Sequence, residues 1–223
     1  MGSGVVEVWA SRGCSMAKIY SLREGCALVD LVALPLQRLD RDWEGRELEM
    51  PILFTVAFNR ERFMFFARSD CSPRYDTAHK PGDFVEGLWN YDVFEVFLRD
   101  PFTGVYQEFN LAPSGAWWSA VFAAPRQRSH VADVRSGAVA FGEVTEQSWR
   151  AGLSVPRGMI AREIALEQNL QMNVCSCLYG DRYENGVGYA TLRGLPGETP
   201  DFHNPAIFST VKVESHDLGN TVA

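Results

Sequence analysis

Two carboxylates stand in a stretch that otherwise reads as core. Gly87 to Leu98, "GLWNYDVFEVFL", sets Asp92 and Glu95 into a run of Val, Phe and Leu, with Trp89 just ahead of it. A charge in such a strand must be paired, hydrogen-bonded or open to a ligand. Three roles fit: an acid–base pair, a set of ligand contacts, or a packing compromise. Successive side chains of an extended chain face opposite ways. Asp92, Phe94, Val96 and Leu98 therefore share one face, and Val93, Glu95, Phe97 and Arg99 the other. Both faces are largely apolar, which predicts a strand covered on both sides. Asp92 lies at its entry, where it can accept backbone N–H bonds from the preceding loop.

The next strand, "YQEFNLAPSG", alternates Gln107, Phe109 and Leu111 with Tyr106, Glu108 and Asn110. If the polar set faces the same way as Glu95, one sheet face carries Glu95, Glu108 and Asn110 with Trp89 at its rim. Such a face suits a sugar: hydroxyls need paired donors and acceptors, and the C–H face of a pyranose stacks on an apolar ring. The same pattern is also that of a solvated sheet face. A glycosidase needs two carboxyls roughly 5–10 Å apart across a cleft. Glu95 with Glu108, or Glu86 with Asp92, are the candidate pairs, in a chain with 28 acids from which to draw chance ones.

Other chemistries are less well supplied. No G-x-S-x-G elbow occurs. His79, His130, His203 and His216 are far apart, and no zinc-type spacing appears except the C-x-C of Cys175 and Cys177. These two fall on one face of an apolar strand and read as small core residues. The five cysteines are an odd number; Cys14 and Cys26 could pair. Two acidic loops, "RSDCSPRYD" and "LRDPFTG", could hold calcium or be plain turns. Of the adjacent Trp117 and Trp118, one must point in and the other out, whereas Trp149 reads as core.

The elements that would position these groups are short and β-rich. Strands are expected at Ala27–Leu34, Ile52–Phe58, Arg62–Arg68, Val93–Leu98, Val105–Leu111, Trp117–Phe122, Val139–Val144, Ser148–Val155, Leu170–Tyr179, Val187–Leu192 and Ile207–Val213. Turn residues at short intervals between such runs predict an all-β sandwich or barrel. "VAFNRERFMFF" reads as a hairpin about Asn59–Glu61, and "LRDPFTGVYQEF" as one with a longer loop. Trp149, Ala151, Leu153 and Val155 alternate with Arg150, Gly152 and Ser154, as in a half-buried antiparallel strand. Only "MIAREIALEQN" reads as helical, a connector of one or two turns. The turn-rich segment Ser69–Gly87 is long, as loops that are functional or disordered usually are.

The 223 residues suit a single all-β unit, and the net charge of −7, with no Lys/Arg stripe, disfavours nucleic acid. No apolar run is long enough to span a bilayer, so no membrane partner is expected. "MGSGVVEVWASRGCSM" does not read as a signal peptide. The expected compartment is cytoplasmic, or secreted if a signal once preceded this start.

Taken in order, "RFMFFARSD", "LWNYDVFEVFL", "YQEFNLAPSGAWWSAVF", "SWRAGLSVPRGMI", "LQMNVCSC" and "DFHNPAIFSTVKV" resemble the family 9 carbohydrate-binding modules and their DOMON-like relatives, from about Pro35 to Val213. The resemblance implies an antiparallel β-sandwich of jelly-roll type and non-catalytic binding of mono- or oligosaccharides, in the setting of glycan breakdown. It implies two stacked aromatic walls, Trp89 and Phe202, the latter where family members often carry Trp. Glu95 matches the sugar-bonding acid, and Asn110 stands where an Arg contacts sugar. His203, Glu108 and Arg74 are outer candidates. Related DOMON-like redox domains hold haem through Met or His/Lys, for which Met64, Met172 and His203 are the side chains on offer.

Overall fold

The computed structural model describes residues 16–131, 137–183 and 185–217. The Cys14–Cys26 pairing and the reading of the N-terminal segment involve residues outside that range. Among the described residues, fourteen strands form two sheets. In the first, β14 (Lys212–Ser215), β1 (Lys18–Ser21), β3 (Glu47–Phe58), β4 (Arg62–Ser69), β10 (Trp149–Pro156) and β9 (Val139–Val144) lie in that order, with β2 (Gln37–Arg41) also paired to β3. In the second, the order is β12 (Val187–Thr191), β11 (Gln171–Tyr179), β5 (Val93–Arg99), β6 (Tyr106–Leu111), β7 (Trp117–Ala124) and β8 (Gln127–Val131), with β13 (Ser209–Thr210) also on β11. Pairing is antiparallel except at β1, which runs parallel to both of its neighbours.

The sheets face each other across a core of phenylalanines. Phe54 and Phe65 of the first sheet meet Phe94 of the second at 5.7 and 6.0 Å between ring centroids, and Phe63 meets Phe109 at 5.3 Å. These are the inward sets that alternation assigns to β5 and β6. Trp149, Ala151, Leu153 and Val155 enter the same core. At one end the β2–β3 turn closes the sandwich: Trp43 N–H donates to the Tyr189 carbonyl at 2.7 Å, beside a single bridge from Asp42 to Ala190.

Both expected hairpins form. Asn59 Oδ1 accepts from the Glu61 and Arg62 amides, and Asp100 Oδ1 from the Phe102 and Thr103 amides. The acid of "LRDPFTG" thus organises its own turn.

Other expectations change. Ala27–Leu34 is not a strand; it contains a 3-10 helix, Leu28–Ala33. Its apolar residues follow a period of three: Leu28 and Leu31 are buried, while Val29 and Val32 stay exposed. The Asp30 carboxylate also accepts the Ala27 amide at 2.7 Å, which closes the turn. This helix covers the outer face of the first sheet, where Met64, Phe66 and Leu31 pack together. The connector after β10 is a 3-10 turn, Arg157–Met159, and residues 160–169 continue as turns rather than α-helix. Ile207–Val213 is broken, because the chain leaves β13 in the second sheet and enters β14 in the first. The short strands β1, β2 and β8 carry too few alternating residues to stand out in the sequence.

Candidate functional site

The outer face of the second sheet carries the carboxylates of interest. Register decides this: Glu95 of β5 lies opposite Asn110 of β6 on one side and Cys175 of β11 on the other, and Glu108 lies opposite Phe97. Glu95, Glu108 and Asn110 therefore share a face. Loops roof that face into a second apolar layer, with Trp43, Leu88 and Phe202 over Phe97, Trp118 and Phe122. A cleft of about 400 Å³ remains, with Glu95 and Glu108 among its lining residues.

One wall is Trp89, on the short 3-10 turn Leu88–Asn90. Its ring meets Trp118 edge-on at 5.5 Å, and its carbonyl accepts from the Tyr179 hydroxyl at 2.8 Å. Of the tryptophan pair, Trp117 points into the core between the sheets and Trp118 into the cleft layer. Asp92 fixes this wall: it accepts the Arg74 amide at 3.0 Å and the Tyr179 amide at 2.5 Å, tying the end of the long loop to β11. Burial raises its pKa, and those two bonds pull the other way. We expect Asp92→Ala to lower stability by ~1–3 kcal/mol, since two buried amides lose their acceptor. Urea unfolding checks this.

Phe202 also lines the cleft, packed on Trp43 at 6.1 Å and on Tyr189 at 5.9 Å. Only 8% of Phe202 is exposed, so the half-buried Tyr189 supplies ring surface there as well.

His203 sits between the walls and the acids. Its Nδ1 is 2.8 Å from the Tyr106 hydroxyl, which already accepts the Arg126 amide at 3.0 Å. The imidazole tautomer sets which of the two donates, and Nε2 is the ring nitrogen on the Glu108 side. Burial holds Tyr106 protonated, with its pKa pushed up to about 12. His203 Nε2 lies 3.9 Å from Glu108 Oε2, but this is not an ion pair: burial and the Arg126 charge push the imidazole down to about 4.

The acids are the electrostatic centre of the cleft. Glu95 is 3% exposed, and its carboxyl forms no hydrogen bond with any described residue. Burial, reinforced by Glu108, raises its pKa well above the carboxylate range, which favours the protonated form, at once donor and acceptor. Burial raises Glu108 to about 7, opposed by the 3.0 Å bond from Asn110 Nδ2 and by the charges of Arg128 and Arg126. Asn110 Oδ1 is buried without a partner.

Five of the residues expected from the sequence thus meet in one cleft: Trp89, Glu95, Glu108, Phe202 and His203. Asn110 lies beneath them as a support of Glu108. Arg74 does not line the cleft; its backbone serves Asp92. The sequence reading missed Phe122, Tyr189, Arg126 and Arg128, which stand beside the others only after the strands pair.

No family model matches the chain, and no curated protein matches it. Solved structures do. A presumed carbohydrate-binding protein of Bacteroides uniformis ATCC 8492 superposes with a TM-score of 0.64 at 15% identity, over 90% of this chain and 100% of that one. A carbohydrate binding module family 9 from Caldicellulosiruptor kristjanssonii, in complex with glucose, gives 0.58 at 9% identity over 92% of this chain and 99% of that one. The same module with cellotriose gives 0.58 and 9%, over 92% and 98%. The fold is that of a family 9 carbohydrate-binding module.

Within this family 9-type sandwich the other candidate sites do not assemble. Met64 is buried under the outer face of the first sheet, Met172 between the sheets, and His203 on the far side of the second. They lie in three different layers with a sheet between each and the next, so they cannot jointly hold a haem. Glu86 is engaged by Arg128 at 2.6 Å and Asp92 by its two amides, so that acid pair is spoken for. In the calcium candidate "RSDCSPRYD", Asp76 accepts the Ala78 amide and approaches His79 at 3.6 Å. Among the described residues no three His, Cys, Asp or Glu converge in the manner of a metal site.

Proposed function

We propose that the chain, acting as a single module, binds carbohydrate in this cleft without transforming it. A pyranose ring enters between Trp89 on one side and Phe202 with Tyr189 on the other. Its hydroxyls reach Glu95, Glu108 and the Nε2 of His203. The observation that carries this reading is Glu95, a residue only 3% exposed whose carboxyl lines an aromatic-walled cleft and has no hydrogen bond to any described residue. Leaving a buried polar group unmade is expensive, and a sugar hydroxyl would satisfy it. The likeness to family 9 modules, including one holding glucose and cellotriose, supports the same ligand class, and with it a setting in glycan breakdown.

The test is calorimetric titration with a panel of mono- and oligosaccharides, run beside an aryl-glycoside turnover assay. Saturable binding without turnover is expected. Turnover that disappears in Glu95→Gln would replace this reading with that of a hydrolase using the Glu95–Glu108 pair.

A further inference from the structure

The mouth of the cleft carries charge that a neutral sugar does not require. Arg126 and Arg128 both line it, in a protein whose net charge is −7. Arg126 occupies the two-residue turn between Ala124 and Gln127, which pair across β7 and β8. Its φ is 57°, the left-handed region that residues other than glycine seldom enter. Such conformations persist where the surroundings enforce them, and they collect at binding sites.

Each guanidinium spends little of its capacity on the protein. Arg126 donates from Nη2 to Asp201 at 2.7 Å, and Arg128 from Nη2 to Glu86 at 2.6 Å. Those are their only side-chain hydrogen bonds to described residues, out of five N–H donors apiece. The partners are partly solvated, with side-chain exposures of 64% and 37% for Arg126 and Asp201, and 37% and 51% for Arg128 and Glu86. Exposed pairs of this kind contribute at most ~1 kcal/mol, so rearranging them around a ligand is cheap. Arg128 is also held in place, stacked 4.9 Å over the Trp118 ring. The same ring supports Trp89, so the cation sits beside the stacking wall. The fields of both arginines reach the floor, where they act on Glu108.

We propose that the preferred ligand is a carboxylated sugar, a uronic acid, whose carboxylate is bound at the mouth by Arg126 and Arg128 while its ring lies in the cleft. This rests on the sugar-binding reading above and specifies its ligand. The unused N–H edges of a guanidinium match the two oxygens of a carboxylate. The acids at the floor are set for hydroxyls: burial favours the uncharged form of Glu95, and Glu108 is already shared with Asn110.

The experiment compares glucuronic and galacturonic acid with glucose, galactose and glucuronamide by calorimetry on the full chain. The expected result is that at least one uronate binds about tenfold or more tighter than its neutral counterparts, a preference that shrinks as salt is raised. In the Arg126→Met/Arg128→Met double variant, which keeps much of the apolar stem over Trp118, the affinity ratio should fall to within about twofold. Melting curves confirm that the variant is folded. Equal affinities in the parent protein, or a preference that survives in the double variant, overturn the proposal and leave the sugar-binding reading standing. Binding of no sugar at all overturns both.

Discussion

Trp89→Ala is expected to weaken sugar binding by roughly 30-fold or more, equivalent to ~2 kcal/mol or more. The indole is the half-buried ring of one cleft wall, held edge-on against Trp118 at 5.5 Å. Its truncation removes the surface on which the C–H face of a pyranose would stack, and hydrogen bonds to the floor cannot replace that contact. Trp89→Phe keeps a ring, so it should lose only part of the affinity. The graded order, Trp over Phe over Ala, separates stacking from general damage to the fold. Calorimetry with whichever sugar binds the parent protein gives the numbers. Equal affinity across the three proteins would show that the sugar, if bound, lies elsewhere.

The second large effect is on stability, and it runs against function. A group whose pKa is raised by folding stabilises the native state below its unfolded value, and that contribution is lost as pH rises through the folded value. Both Glu95 and Glu108 are of this kind. For Glu108 the loss runs from about pH 4.5 to about pH 7 and amounts to roughly 3 kcal/mol. Glu95 is shifted in the same direction, so its loss also begins near its unfolded value. His203 acts oppositely: its pKa falls from 6.5 to about 4 on folding, so its contribution is lost as pH drops through that interval. Between about pH 4.5 and 6.5 the His203 slope offsets that of Glu108, while Glu95 and Asp92, both raised, leave the net contribution of these groups falling as pH rises.

The difference between the parent and Glu95→Gln isolates one group. We expect the two proteins to be equally stable near pH 4, where Glu95 is protonated in both the folded and the unfolded chain. Relative to the parent, Glu95→Gln should gain stability as pH rises above about 4.5, because ionising Glu95 favours the unfolded parent chain and a neutral amide has no such effect. The same variant should bind sugar more weakly, because the amide cannot reproduce the donor–acceptor pattern of a carboxylic acid or its ionised form. Urea midpoints from pH 4 to 9, with titrations alongside, read both. A Glu95→Gln protein that is less stable than its parent across that range would show that Glu95 is a packing residue rather than a ligand group.

Much of the frame is local and therefore legible. Period-two alternation assigns the two faces of β5, β6 and β10, and burial follows that assignment. The hairpins follow from Asn59 and Asp100, whose side chains make their turns within three residues. Asp92 reads as a loop-fixing acid because a carboxylate at a strand entry faces the amides of the loop beside it, and Arg74 and Tyr179 supply them. The 3-10 segment at Leu28–Ala33 was obscured because its Leu and Val residues suit a strand equally well. Only packing against Met64 and Phe66 selects the period of three.

The sequence by itself determined which side chains share a face along each strand, hence that Glu95 could stand with Phe97 and Glu108 with Asn110. Whether those two faces coincide depends on the pairing of β5 with β6, since a shift of one residue would turn one set to the opposite side. The pairing of Glu95 with Asn110 settles it. The rest of the cleft is further from local reach. Trp89 comes from the entry to β5, Arg126 and Arg128 from the β7–β8 turn, Tyr189 from β12, and Phe202 and His203 from the loop before β13. The roofing loops are placed by contacts such as Trp43 on Phe202, between residues more than a hundred positions apart. Propensity and periodicity act over a few residues, whereas a cleft is made by surfaces meeting after the sheets have formed. The acids, and through the resemblance Trp89 and Phe202, were therefore visible in the sequence, and Tyr189, Phe122 and the cationic mouth only in the folded chain.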